Sequence, residues 1–190
     1  AQAQSRVPLL VRQRQLPRHP VGPQAAQPQI AAESGTGRTM DTAMHWPAEA
    51  IWEAVSPQWP TFSVEVLPEI DSTNSELMRR ARAGQFDPVL LVAQRQTAGR
   101  GRLGRSWHSD APGALTFSLG LPLQPREWSG LSLAVGLAVA QALHPDLQLK
   151  WPNDVWLHGR KLAGILIETA SVGEVRYAVI GVGINITMPD

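Results

Sequence analysis

Three arginines alternate with three glycines in the seven residues Gly99-Arg100-Gly101-Arg102-Leu103-Gly104-Arg105. Glycine lets backbone N–H groups come close to a ligand, and the planar guanidinium of arginine matches the oxygens of carboxylate and phosphate. The stretch therefore suits a small anion carrying both groups. Three neighbouring like charges repel and glycine adds no packing, so the loop is expected to be mobile when empty. Taken alone it fits a solvated surface loop or a nucleic-acid-binding segment equally well.

Three other blocks carry chemistry. Lys150-Trp151-Pro152-Asn153-Asp154 is followed by Arg160-Lys161-Leu162-Ala163-Gly164. Asn153 and Asp154 offer oxygens of the kind magnesium prefers. Lys161 follows a tight turn from which it can point into a site, and Ala163 and Gly164 leave room beside the backbone. Each residue by itself also reads as a solvated lysine or an ordinary turn. Asp71-Ser72-Thr73-Asn74 places four small polar residues before a helix, more than a cap needs, and the spare groups suit a urea or amide. Gly181-Val182-Gly183-Ile184-Asn185 ends a strand with glycines that permit close approach and an asparagine that both donates and accepts.

These blocks need a scaffold. Pro47 to Val55 reads as a short helix with proline in its first turn, and Phe62 to Leu67 alternates like a strand. Thr73-Asn74-Ser75-Glu76 reads as a capping box opening a helix that ends at Gly84. Val89 to Ala93 is a buried strand, Gln94 to Ser109 a loop, and Ala114 to Leu121 a strand. Leu131 to Leu143 is apolar on every face, which predicts a helix buried on all sides; a run of 13 residues is too short to span a membrane. Leu147–Trp151 and Val155–His158 are short strands, with a hairpin turn at His158-Gly159-Arg160. Leu162–Thr169 and Val175–Ile184 are further strands joined at Val172-Gly173. The fold class is α/β of the α+β kind: a mixed, largely antiparallel sheet flanked by helices, not a doubly wound βαβ fold.

Composition narrows the field. The absence of cysteine excludes thiol nucleophiles, disulfides and cysteine-ligated zinc. Of the 17 basic residues only Lys150 and Lys161 are lysine, and the formal net charge is +1, so the whole chain is no polycation. Charge is uneven along the chain. Residues 1–39 hold five arginines, one acid, five prolines and seven glutamines. They show no apolar periodicity, so residues 1–45 read as a disordered extension. The run Val7 to Val11 is too short for a signal peptide. Met40 or Met44 would make a natural start, so residues 1–39 are expected to lack function, with a basic nucleic-acid-binding arm as the alternative.

Taken together, and in this order, Ser72-Thr73-Asn74, Gln96-Thr97-Ala98-Gly99 through Trp107, Lys150 through Asp154, Arg160 through Glu168 and Gly181 through Asn185 resemble biotin protein ligases. The resemblance covers about residues 64–187 and makes 46–190 an incomplete catalytic domain. It implies the mixed-sheet fold of class II aminoacyl-tRNA synthetases. It also implies MgATP-dependent conversion of biotin to biotinyl-5′-AMP, then transfer to a lysine of a biotin carboxyl carrier domain of acetyl-CoA carboxylase, in the cytoplasm. No covalent enzyme intermediate and no permanently bound cofactor are implied.

Carried over residue by residue, Ser72, Thr73, Asn74 and Gln96 become polar contacts to biotin, joined by Gly164. Arg100, Gly101 and Arg102 contact biotin and its adenylate, with Arg102 retaining the adenylate. Trp107 covers the site, and Lys161 stabilises charge developing on the carboxyl and α-phosphate. Lys150, Asn153 and Asp154 serve the phosphates or the loop, and Asn185 the adenine; magnesium is expected to arrive with the ATP phosphates. Family members continue well beyond the position of Asn185, so a fragment with weak or no activity is expected. Residues 1–46 hold no winged-helix pattern, so no DNA-binding domain is expected of them, while a homodimer is left open. A lipoate or octanoate ligase of the same superfamily and a nucleic-acid-binding module are the rival readings.

Overall fold

The computed structural model describes residues 46–109 and 113–187. The elements run α1 (Ala48–Val55), β1 (Ser63–Ile70), α2 (Thr73–Arg82), β2 (Val89–Gln96), β3 (Ala114–Pro122), α3 (Leu131–Leu143), β4 (Gln148–Lys150), β5 (Asp154–Leu157), β6 (Arg160–Val172) and β7 (Val175–Asn185). The expected extension at 1–45 lies outside the described residues.

All seven strands form one sheet in the order β1-β2-β3-β7-β6-β5-β4. β1 and β2 are parallel, connected through α2, and every other pair is antiparallel. This is the mixed, largely antiparallel sheet with flanking helices that the patterning predicts. The turn between β5 and β6 is His158-Gly159, both at positive φ (48° and 77°), as a two-residue hairpin with Leu157 opposite Arg160 requires.

The sheet has two unlike faces. On one, α2 buries Leu77, Met78 and Ala81 against Val89, Leu91, Tyr177 and Val179. On the other, α3 packs over Val155, Ala163, Ile165, Ile180 and Val182. Gly136 makes that approach close: a Cβ there would stand 3.1 Å from Leu149 Cδ2 and 3.2 Å from Ile165 Cδ1.

Two expectations need correction. The bounds of α3 are those expected, but it is not buried on all sides. Only Gly136 and Ala140 are buried, while Leu133, Leu137 and Leu143 are 36%, 49% and 49% exposed, because the helix meets the sheet along one face only. The cap of α2 is Ser72 and not Thr73: Ser72 is extended (φ −160°, ψ 132°) and its hydroxyl accepts from Ser75 N–H at 3.3 Å. Glu76 therefore does not reach back to close a capping box; its carboxylate takes Arg79 and Arg80 at 2.8 Å each. In addition β2 runs on to Gln96, three residues beyond its expected end.

β5 pairs with β6 no further than Asp154 opposite Gly164. From Leu166 to Val172, β6 has a strand neighbour on its β7 side alone among the described residues, which leaves an open outer edge.

Candidate functional site

The one-residue shift of the cap has a consequence. With Ser72 holding the helix end, Thr73 and Asn74 fall in the first turn of α2 and point at the sheet, where both are buried. Thr73 N–H donates to Gln96 Oε1 at 2.7 Å, with Thr73 Oγ1 at 3.1 Å from the same oxygen. Ser118 Oγ lies 2.7 Å from Thr73 Oγ1 and 2.6 Å from Asn74 Oδ1. Asn74 Nδ2 donates to Leu166 O (3.2 Å) and to Glu168 Oε2 (3.1 Å). Four elements thus meet in one polar network, which fixes both amide orientations. Asn74 and Thr73 are committed to protein partners, whereas Gln96 Nε2 and the Ser72 hydroxyl hydrogen have none among the described residues.

Just ahead of the cap, Asp71 takes both guanidinium nitrogens of Arg79, at 2.7 and 2.9 Å. These hydrogen bonds hold its carboxyl below the usual carboxylate range and keep the entry to α2 anchored.

The arginine–glycine segment is stitched to itself and not a plain loop. Trp107 N–H donates to Gly99 O (2.9 Å), Gly101 N–H donates to Arg105 O (2.7 Å), and Arg100 bridges Ser106. A single 3₁₀ turn, Arg102–Gly104, forms the tip, where Leu103 and Gly104 take positive φ. Its entry is pinned by Thr97 N–H to Ile70 O and Ala98 N–H to Asp71 O.

This hairpin returns Trp107 onto the sheet. Gly164 and Gly183 are partners across β6 and β7. A Cβ on Gly183 would overlap the indole ring, and one on Gly164 would stand 3.4 Å from Trp107 Cζ3 and 3.3 Å from Lys161 Nζ. Gly183 is therefore the seat of the indole, which no side chain there would permit, and Gly164 lies at the edge of the ring.

Between the hairpin, the first turn of α2 and this glycine floor lies a cavity of about 130 Å³. Of the residues singled out from the sequence, Ser72, Thr73, Asn74, Gln96, Arg100, Gly101, Arg102, Trp107, Asn153, Asp154, Lys161 and Gly164 all line it. Lys150 and Asn185 do not. Lys150 Nζ stands 3.7 Å over the Trp156 ring, and Asn185 Nδ2 donates to Lys161 O at 3.1 Å, so it acts on the backbone of Lys161. Sequence reasoning did not single out Thr116, which lines the cavity, or Ser118, which braces Thr73 and Asn74; Arg105 and Glu168 it read only as members of longer motifs, with no role of their own.

Charge around the cavity is mostly positive. Lys161 pairs with Asp154 at 2.8 Å, and Arg100 pairs with Glu168 at 3.0 Å. Arg102 meets only the Asn153 amide oxygen (3.3 Å), whose Nδ2 is in turn tied to Ile165 O at 2.8 Å. No acid neutralises Arg102 or Arg105 among the described residues. Two uncompensated guanidinium groups over a polar, half-enclosed cavity form a receptor for an anion with a neutral polar head. The described residues hold no cluster of three or more His, Asp or Glu that would make a metal centre. Asn153 Oδ1 and Asp154 are the nearest oxygen donors, each already engaged by a cation.

The family model described as the biotin/lipoate A/B protein ligase family matches residues 66–185. A biotin--[acetyl-CoA-carboxylase] ligase of Mycobacterium tuberculosis is 43% identical over 137 residues, which are 65% of this chain and 49% of that protein. Among solved structures, the biotin acetyl coenzyme A carboxylase synthetase from Helicobacter pylori with bound biotinylated ATP superposes with a TM-score of 0.57. It is 30% identical, over 65% of this chain and 61% of that one. The biotin protein ligase from Aquifex aeolicus in complex with biotin and ATP superposes with a TM-score of 0.53 at 36% identity, over 67% and 53%. The chain thus has the fold of these ligases and spans about half the length of the relatives it matches.

Proposed function

Because the chain belongs to the biotin/lipoate A/B protein ligase family, we propose that the cavity binds biotin and that the protein of which this chain is part activates biotin with ATP. The product is biotinyl-5′-AMP with release of pyrophosphate, and the acyl group then passes to a lysine of a biotin carboxyl carrier domain. The observation that carries the reading is the cavity itself: it is lined together by Gln96 and Ser72, whose spare donors have no partner among the described residues, by Arg102 and Arg105, which have no acid partner among them, and by Lys161 beside Gly164.

The chemistry follows from these positions. A carboxylate attacking a triphosphate meets charge repulsion, so cations are needed at both reactants. Lys161, already turned toward the cavity by Asp154, is the group for the carboxylate and the developing charge on the α-phosphate. Arg100 and Arg102 on the hairpin face the phosphates and retain the adenylate, and Trp107 keeps water from it. Gln96 Nε2 and the Ser72 hydroxyl donate to the ureido oxygen, while Thr73 and Asn74 hold those donors in place. Asn153 and Asp154 are the residues that would contact magnesium arriving with the nucleotide, which would neutralise charge on the phosphates. Lys150 and Asn185 serve the nucleotide side from outside the cavity.

Biotin is favoured over lipoate or octanoate by one specific observation. Gln96 and Ser72 keep hydrogen-bond donors without partners among the described residues in a largely buried wall, and an aliphatic acid would leave them unpaired, a penalty that discriminates strongly between ligands. The carrier domain and a second copy of the chain both find a ready surface in the open edge of β6, which can accept a strand. A cytoplasmic setting belongs to this proposal; among the described residues no helix is long and apolar enough to cross a membrane.

The test is acid-dependent ATP–pyrophosphate exchange with biotin, lipoate and octanoate, using the intact protein. Exchange with biotin alone is expected. Exchange with lipoate and not biotin would overturn the reading. So would steeply salt-dependent nucleic-acid binding without thermal stabilisation by biotin.

A further inference from the structure

We infer that the hydroxyl of Thr116 is a specificity-determining contact to the heteroatom-bearing ring of the bound acid, an inference that rests on the biotin reading of the cavity. Thr116 lies on β3 between Ala93 of β2 and Gly183 of β7. It is 5% exposed and lines the cavity. Its Oγ1 is buried and has no hydrogen-bond partner among the described residues. Its neighbour two residues on, Ser118, faces the same way and is fully engaged with Thr73 and Asn74. The contrast shows that a buried hydroxyl on this face of β3 can be paired by protein, and that the one at Thr116 is not.

A buried hydroxyl without a partner destabilises a fold, and proteins pair nearly all such groups. A second orphan stands nearby. Trp107 Nε1 is also buried without a partner, and its indole lies over Gly183, the residue opposite Thr116. Two unsatisfied polar atoms lining one cavity beside the same glycine mark a place whose partner is supplied by a ligand. Once the indole slides from its seat, a ring lying against the Gly183 backbone comes within reach of both. The ring must offer an acceptor there, as a ureido oxygen or a thioether sulfur does. A saturated aliphatic acid offers none and leaves both groups unpaired.

The experiment uses the intact protein of which this chain is part, with the variants Thr116→Val and Thr116→Ser. It measures thermal unfolding without ligand, and calorimetric binding of biotin and of octanoate. Valine keeps the shape and removes the orphan hydroxyl, so the unliganded Thr116→Val chain is expected to unfold about 2–4 °C higher than wild type. It should bind biotin about fivefold to tenfold more weakly, with octanoate binding unchanged or tighter. Thr116→Ser should stay within about twofold of wild type for biotin.

The opposite signs on stability and affinity are what a merely structural threonine would not produce. Unchanged biotin affinity in Thr116→Val overturns the inference, and so does a lower unfolding temperature, which would mean that the hydroxyl is paired in the unliganded fold. Failure of the parent reading looks different: the wild-type chain itself would bind no biotin, and the assignment of Thr116 falls with it.

Discussion

Adding one methyl group at Gly181 should break the polar network behind the cavity, and its size can be worked out. A Cβ at 181 would collide with Asn74 Oδ1 and stand 2.9 Å from Asn74 Cγ and 3.2 Å from Nδ2. Asn74 cannot step aside without loss. It is 4% exposed, its Oδ1 holds Ser118 at 2.6 Å, and its Nδ2 holds Leu166 O and Glu168. Overpacking of this kind costs about 1–3 kcal/mol, and each hydrogen bond given up adds about 1 kcal/mol. Against this, replacing glycine in a strand returns about 0.5–1 kcal/mol.

The net expectation for Gly181→Ala is a loss of about 2–3 kcal/mol, read as a shift in the urea midpoint at unchanged m-value. The decisive assay is the double mutant. Asn74→Ala is itself destabilising but removes the obstacle, so in that background Gly181→Ala should cost less than about 0.5 kcal/mol, giving a coupling of about 2 kcal/mol. If Gly181→Ala costs the same with and without Asn74, the methyl strikes something else and the argument fails.

Lys161→Ala should abolish biotin-dependent pyrophosphate exchange while leaving the unfolding midpoint within about 1 kcal/mol, since its one ion pair is partly exposed; normal exchange would refute its role. Arg102→Gly should leave folding intact, because among the described residues its side chain hydrogen-bonds to Asn153 alone. In the intact enzyme it should let the adenylate escape and label lysines indiscriminately; unchanged carrier selectivity, read by mass spectrometry, would refute retention. Burial pushes the Glu76 carboxyl up, but hydrogen bonds from Arg80 and Arg79 outweigh it and hold the group below its ordinary 4.5. Its contribution is therefore full above that value and is lost as pH falls through the depressed folded one. Glu76→Gln should cost about 1 kcal/mol at pH 7 and flatten the acid limb of the stability profile; parallel wild-type and mutant profiles would contradict the assignment.

Much of the site was legible in the sequence because its parts are backbone features as much as side chains. Glycine at 99, 101, 164 and 183 and arginine at 100 and 102 announce close approach and charge wherever they fall. The helix at Leu131–Leu143 was equally plain, since thirteen residues that are mostly apolar fit no other element. Its exposure was not, because an all-apolar stripe says which surfaces can be buried and not how many neighbours arrive. The cap was misplaced by one residue because Ser72 and Thr73 are both good caps; only the pairing of Thr73 with Gln96, set by the sheet, decides between them.

Thr116 and Ser118 were missed inside an ordinary-looking strand. Their signal was the alternation of Ala114, Thr116, Ser118 and Gly120 with Leu115, Phe117, Leu119 and Leu121: small and polar on the more buried side, apolar on the other. That Lys150 stands outside the cavity was not legible from its neighbours in sequence: β4, the edge strand, holds it over Trp156.

The strand order carries one more consequence, for how the molecule comes into being. The glycine floor on β6 and β7 gains its neighbouring wall, with Thr116 beside Gly183, only where β3 meets β7, and closing so long a loop is among the slower, entropically demanding steps available to a chain of this size. Helix α2 with its arginine–glutamate pairs, and the β5–β6–β7 hairpins, are local and can form early. Binding competence is thus tied to the least local pairing of the sheet, and a nascent or partly unfolded chain that already holds most of its helix and hairpin structure would still have nowhere to put its ligand.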